Sequence, residues 1–260
     1  MITSIEKKII IMALFAGEIM MKSGAEIYRV EDTISRICKA CNIPYVEVFA
    51  TPSGIFLSVD RGGDSSMHTF IKRIRGGRTD LGKISMTNQL SRDFVSTDLS
   101  IDSGMEILRS IEDSPIYSLP ARMLGAALSS AFFCIMFGGC LKDFLATLFI
   151  GGACYGLSIL LDILETNYFI KGFICTALAT TLALLARALS LGEGVGPMTI
   201  GALMLFVPGV AITNAIRDFL AGDMLSGLAR TAEAIFIAVS LGAGAGVVMR
   251  LWVILGGAGI

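Results

Sequence analysis

Pro208, Gly209, Thr213, Asn214, Arg217, Asp218, Asp223 and Arg230 lie within one short stretch of the chain. Together they could hold a small polar solute. An arginine attracts a carboxylate, and its planar fork can grip both oxygens. An aspartate can pair with an ammonium or carry a proton, because burial raises its pKa toward neutrality. Thr213 and Arg217 are four residues apart, as are Asn214 and Asp218, so on one helix each pair shares a face. Pro208 has no N–H to donate, which breaks the helical ladder and frees a backbone carbonyl. The blander alternative is a packing kink at Pro208-Gly209 followed by a wetted loop whose charges snorkel to water. The conjunction of a broken apolar run, a Thr/Asn pair and two Arg–acid neighbourhoods favours a solute-handling element.

That stretch, 206–233, starts inside an apolar run over 196–216 that is long enough to cross a bilayer. In hydrocarbon an orphaned backbone group costs several kcal/mol, so roughly that penalty confines breaks to sites where protein or water satisfies them. The whole chain has 260 residues, 54% of them hydrophobic, and a mean hydropathy of +0.73. Charged residues make up 17%, against about 25% in soluble domains. Residues 1–122 hold 15 of the 21 Lys and Arg and 15 of the 22 Asp and Glu. A polar domain therefore precedes an apolar one. The net charge of −1 gives no electrostatic case for nucleic acid. The start, MITSIEKKIIIMALF, lacks a long apolar core and a small-residue cleavage site, so no signal peptide is expected.

The polar part, 1–118, reads as a cytoplasmic α+β domain. Ile5, Ile9, Met12, Phe15, Ala16 and Ile19 recur at helical spacing over 4–22, and Ser23-Gly24 stops that helix. A second helix over 26–41 places Val30, Ile34, Ile37 and Cys41 on one face. The period then falls to two. Strands are expected over 45–49, 55–59 and 67–74, joined by turns at 51–54 and 60–64, which makes a small antiparallel sheet. Helices follow over 80–96 and 100–112. Arg73, Arg75 and Arg78 form a basic patch that could meet anionic lipid or keep an edge strand soluble. Cys38 and Cys41 form CKAC, but the chain has one histidine, His68, and no second cysteine pair at zinc-site spacing. No metal and no cofactor is expected. No Gly-rich phosphate loop and no Ser–His or Cys–His set stands out, although Ser23, Glu26 and Arg29 could be written into a hydrolytic scheme.

The apolar part, 119–260, reads as an all-α polytopic domain of five transmembrane helices, over about 119–139, 144–164, 168–189, 197–216 and 229–255. Each approaches the ~20 residues that ~30 Å of hydrocarbon requires. Gly125 with Ser129, Gly152 with Gly156, and Gly242 with Gly246 could let helices approach closely. With the N-terminal domain inside, Arg122, Lys171, Arg217 and Arg230 fall on the cytoplasmic side and Lys142, Arg187 and Arg250 outside, a mild positive-inside bias. An odd span count suggests half of an inverted-repeat transporter that needs a partner.

The segments MKSGAEIYRVEDTI (21–34), VEVFATPSGIFLSV (46–59) with DLGKISMTNQLSRD (80–93), and VPGVAITNAIRDFLAGDMLSGLARTAEA (207–234) carry a resemblance to the threonine/serine exporter family. The chain resembles the larger subunit of the split form of that family. The resemblance implies a secondary exporter subunit for small polar metabolites, threonine and serine or a dicarboxylate such as succinate. It also implies a bacterial inner-membrane location, a short all-membrane partner subunit, a hetero-oligomer and drive from the proton gradient. An enzyme is not expected, because no nucleophile–base set is present. The alternative is a membrane-anchored hydrolase-like or regulatory subunit that gates a partner transporter.

Overall fold

A computed structural model of the chain describes residues 3–60, 67–97, 99–114 and 117–257. Past Asp60 the turn expected at 60–64, like the last three residues, lies outside the described residues. The chain divides into two compact units. Unit 1 joins Met1–Ser114 to Gly209–Ala232, and unit 2 joins Pro115–Pro208 to Glu233–Ile260.

Unit 1 is built around helix α1 (Ser4–Lys22). Thr3 and Glu6 form a reciprocal capping box at its start, satisfying donors that a helix N-terminus leaves open. The expected single apolar stripe is too narrow. Ile9, Ile10, Met12, Ala13 and Met20 are all buried, whereas Ile5 is 63% exposed. Helix α1 is surrounded on most sides, which a period of 3.6 cannot signal. Helix α2 (Ile27–Ala40) does behave as its pattern predicts, burying Val30, Ile34 and Ile37. Strands β1 (Tyr45–Thr51), β2 (Gly54–Asp60) and β3 (His68–Arg73) form an antiparallel sheet in that order, with Phe49, Phe56 and Ile71 in one cross-strand row. Ile55, Leu57 and Val59 alternate inward to the core. Helices α3 (Leu81–Ser96) and α4 (Ile101–Glu112) are capped by Asp80 and Ser100 and close that core with Ile84, Phe94, Leu108 and Ile111. Full burial of each such side chain contributes about 1.5–3 kcal/mol.

Glu18 of α1 sits between Lys22 and Lys72, at 2.9 and 2.8 Å. Burial alone would push its carboxyl up, but hydrogen bonds from Lys72 and Lys22 outweigh that and hold it below the usual carboxylate range.

In unit 2, α5 (Leu119–Met136), α6 (Leu141–Ile163) and α7 (Tyr168–Ala188) match the first three expected spans. Helix α10 (Met224–Ile254) begins in unit 1, ends in unit 2 and covers the last. Among the described residues these four are the helices long and apolar enough to cross a membrane. The stretch 197–216 is not one helix. Helix α8 (Val195–Leu203) ends early, and α9 (Gly209–Ala221) starts after Pro208 and belongs to unit 1. Two causes are local. Pro208 cannot continue the ladder, and Asn214 and Asp218 need polar partners that lipid does not offer.

Helix α8 packs against α5, α6 and α7. The glycines that permit this are not those expected. A Cβ at Gly201 would meet the Ser130 carbonyl oxygen at 2.6 Å, and one at Gly151 the Ser130 Cβ at 2.5 Å. Ser130 of α5 is thus pressed between α6 and α8. Gly125, Gly242 and Gly246 have open space instead. The Asp143 carboxylate, 2% exposed, accepts from the backbone N–H groups of Cys140, Glu193 and Gly194 at 3.0, 2.6 and 3.0 Å. It caps α6 and ties down the loop that feeds α8.

Two outcomes are expected. Gly201→Leu lowers the thermal stability of the detergent-solubilised chain by about 1–3 kcal/mol through overpacking, whereas Gly125→Ala does not. Glu18→Gln costs on the order of 1 kcal/mol at neutral pH. Because the folded pKa of Glu18 lies below the unfolded one, its contribution is present above the unfolded value and is lost as pH falls through the folded one. The melting gap between wild type and Glu18→Gln should therefore close on acidification.

Candidate functional site

The site starts from an unmet need of backbone. Helix α1 ends at Ser23, and Gly24 takes a φ of +84°, the left-handed conformation glycine tolerates. The N–H groups of Gly24 and Ala25 then bond back to the carbonyls of Met21 and Met20, at 3.1 and 3.0 Å, which closes a Schellman turn. Four consecutive carbonyls beyond it have no helical partner. Those of Lys22 and Ser23 accept from the Arg78 and Asp80 N–H groups, at 2.8 and 3.0 Å. Those of Gly24 and Ala25 accept from side chains some 190 residues away in sequence. Asn214 Nδ2 donates to Gly24 at 2.7 Å, and Arg230 Nη2 to Ala25 at 2.7 Å.

The start of α2 has the mirror problem. Its N-cap residue is Glu26, whose side chain makes no capping hydrogen bond. The Glu26 carboxylate is instead engaged by Arg29 at 3.1 Å and by Arg217. The open N–H of Ile27 donates to Asp218 Oδ1 at 3.3 Å, so an aspartate of α9 acts as a distant cap for α2. A carboxylate there also meets the positive end of the helix dipole.

Asn214, Asp218, Glu26 and Arg230 are all nine-tenths or more buried. Asp218 Oδ2 and Arg230 Nε are 3.0 Å apart, an ion pair by distance. The Nε–H does not point along that line, so both atoms are buried without a hydrogen bond among the described residues. Burial pushes the Asp218 carboxyl up, more than the Arg230 charge and the Ile27 N–H pull it down. Burial also raises Asp223 and Glu31, the latter against a 2.8 Å hydrogen bond from the Ala50 N–H. Asp218 and Asp223 add to the rise at Glu31, so the three carboxylates feel one another.

Of the eight expected residues, Asn214, Arg217, Asp218 and Arg230 come together on the α1–α2 turn. Asp223 stands at the α9–α10 junction, where its N–H bonds the Asp218 carbonyl at 2.8 Å and its own carbonyl accepts from Gly227. Thr213 is exposed and gives its hydroxyl to the Gly209 carbonyl at 2.9 Å, within its own helix. Gly209 opens α9, and Pro208 is buried at the break before it. The sequence named Glu26 only beside Ser23 and Arg29 in a possible hydrolytic scheme. It missed the carbonyls of Gly24 and Ala25 and the N–H of Ile27 altogether. The available signal was a helix start with no Ser, Thr, Asp or Asn at its cap position.

Chemically, the cluster sets a guanidinium beside a carboxylate in a dry setting, with the two carbonyls and the amide N–H already spent on Asn214, Arg230 and Asp218. A guanidinium and a carboxylate are the groups that pair with the two ends of a zwitterion, and a buried aspartate is one that exchanges a proton.

Residues 11–252 match the family model described as "Putative threonine/serine exporter". The chain is 21% identical over 236 residues to a protein of Mycobacterium tuberculosis named "Probable threonine/serine exporter", covering 90% of this chain and 44% of that protein. It is 24% identical over 258 residues to an uncharacterized protein of Schizosaccharomyces pombe, covering 94% of this chain and 30% of that one. The chain thus spans less than half the length of these curated relatives. No solved structure matches it. With the family match running over nearly the whole chain, the conclusion is that this protein belongs to the threonine/serine exporter family.

Proposed function

We propose that the chain is one subunit of a secondary transporter that exports small polar metabolites, with threonine- or serine-type amino acids as the first solute class. What carries the reading is the buried Asp218–Arg230 pair, a carboxylate and a guanidinium 3.0 Å apart beside the α1–α2 turn. An α-amino acid presents the complementary acceptor and donor. In this reading Arg230 and Arg217 attract the carboxylate. Asp218, with Asp223 near it, takes the ammonium or a coupled proton. Asn214, Thr213 and the break at Pro208-Gly209 supply the remaining polar shell. A dicarboxylate such as succinate is the second class, favoured by two arginines meeting one acidic cluster.

Parity supports five crossings. In this reading residues 1–114 and 209–232, which form one unit, lie on one side of the bilayer. Between them α5, α6 and α7 cross three times, and the stretch through α8 must make the fourth. Helix α10 is then the fifth. The placement we favour is a bacterial inner membrane with unit 1 cytoplasmic, in keeping with Arg122, Lys171, Arg217 and Arg230 falling on that side. In this reading five crossings are half of an inverted-repeat transporter, which a short all-membrane partner subunit completes as a hetero-oligomer.

The test is counterflow of labelled threonine, serine and succinate in proteoliposomes holding the chain and its partner, with and without a pH step. Arg217→Ala and Asp218→Asn should each lower the rate at least about tenfold, the effect of ~1.4 kcal/mol. The pH dependence has a definite sign. Asp218 keeps its proton to higher pH than an ordinary aspartate, so wild-type transport should respond to a pH step above the usual aspartate range. Asp218→Asn should not respond. Normal rates and a normal pH response in both variants would sink the assignment.

A further inference from the structure

Helix α9 and the first turns of α10 are inside out. The side chains α9 buries are Asn214, Ala215 and Asp218. On α10, Ser226 and Arg230 are buried. The large apolar residues of the same stretch point the other way. Ile212, Ile216 and Leu220 lie on the face of α9 opposite Asn214 and Asp218, and Met224, Leu225 and Leu228 continue the exposed surface. Leu220 is 83% exposed and Leu225 66%. A helix in water does the reverse, burying its apolar stripe. Leaving one such side chain in water forgoes about 1.5–3 kcal/mol, so six adjacent ones are a surface built for an apolar surrounding.

We propose that this face lies in the lipid of the membrane interface, with α9 in the plane of the bilayer. Continuity favours lipid over a protein partner. Helix α10 runs on without interruption into a candidate crossing of mean hydropathy 1.9, with Ile235, Phe236 and Val239 exposed in turn. Its length points the same way. At 1.5 Å per residue its 31 residues extend about 46 Å, against the ~30 Å of hydrocarbon that ~20 residues cross. About eleven residues are surplus, and the polar end that carries Ser226, Arg230 and Glu233 is where they belong. The start of α10, and α9 with it, therefore sits at headgroup depth. Arg217, 53% exposed at its side chain, flanks the apolar face and reaches back to Glu26, as a snorkelling arginine does. An in-plane helix of this kind buries its apolar face roughly 5–10 Å into the headgroup and acyl boundary. The polar clasp on the α1–α2 turn and the lipid contact are then two faces of one helix.

This inference does not rest on any solute. Its test uses the full chain in nanodiscs of lipid brominated on the acyl chains, which quench tryptophan by contact. The sequence has a single tryptophan, Trp252, removed by Trp252→Phe. Leu220→Trp and, separately, Ile216→Trp then report on α9, and Lys39→Trp on the exposed end of α2. The α9 side chains are exposed, so neither larger ring displaces core packing. Both α9 probes should lose most of their emission relative to unbrominated nanodiscs, while Lys39→Trp keeps its own. Unquenched emission at both α9 probes overturns the proposal, whether blue-shifted by a covering protein or red-shifted by water.

Discussion

Polar backbone must be satisfied wherever water is excluded, and at the α1–α2 turn it is satisfied from across the chain. A Schellman turn disposes of the nearest groups. The carbonyls of Gly24 and Ala25 and the N–H of Ile27 are left for Asn214, Arg230 and Asp218. These bonds explain why residues 209–232 belong with the first 114 rather than with the helices on either side of them in sequence. They also explain why α9 can carry an asparagine and an aspartate on its inner face. Removing one partner of a buried charge pair costs about 3–5 kcal/mol, because the other is left stranded. The cluster is therefore a structural clasp, and in the function proposed above it is also where the solute or proton is held.

Unit 2 meets the same constraint with different means. Its core is made of small residues and back-bonded hydroxyls, such as Thr147, Thr176 and Thr180, each of which donates to a carbonyl four residues earlier. Asp143 is the exception among them, a buried carboxylate consumed by three backbone N–H groups. Because α8 is only nine residues long, its position depends on that carboxylate at one end and on the Gly201–Ser130 contact along its side.

Much of this was legible in sequence. Strict alternation announced β1 and β2, helical spacing announced α2, and Gly24 announced the end of α1, since each is a local rule. Pro208 announced a break, yet could not say where the chain after it would go. That depended on partners about 190 residues away, and no periodic pattern carries information over such a distance. The all-round burial of α1 was hidden because a helix at the centre of its unit has no solvent face to create a stripe. The wrong glycines were singled out in the apolar part for a related reason. Spacing shows that small residues share a face, but only the rotation of each helix in the bundle decides whether Gly125 or Gly151 meets a neighbour.

The claim on which the rest depends is that α9 completes the α1–α2 turn. Amide hydrogen exchange of the full chain in nanodiscs, with Asp218→Ala compared to wild type, tests it most directly. A true clasp requires Ile27 and its neighbours to lose protection in the variant while α5 keeps its own. Protection of the turn that survives the loss of Asp218 unchanged would contradict it.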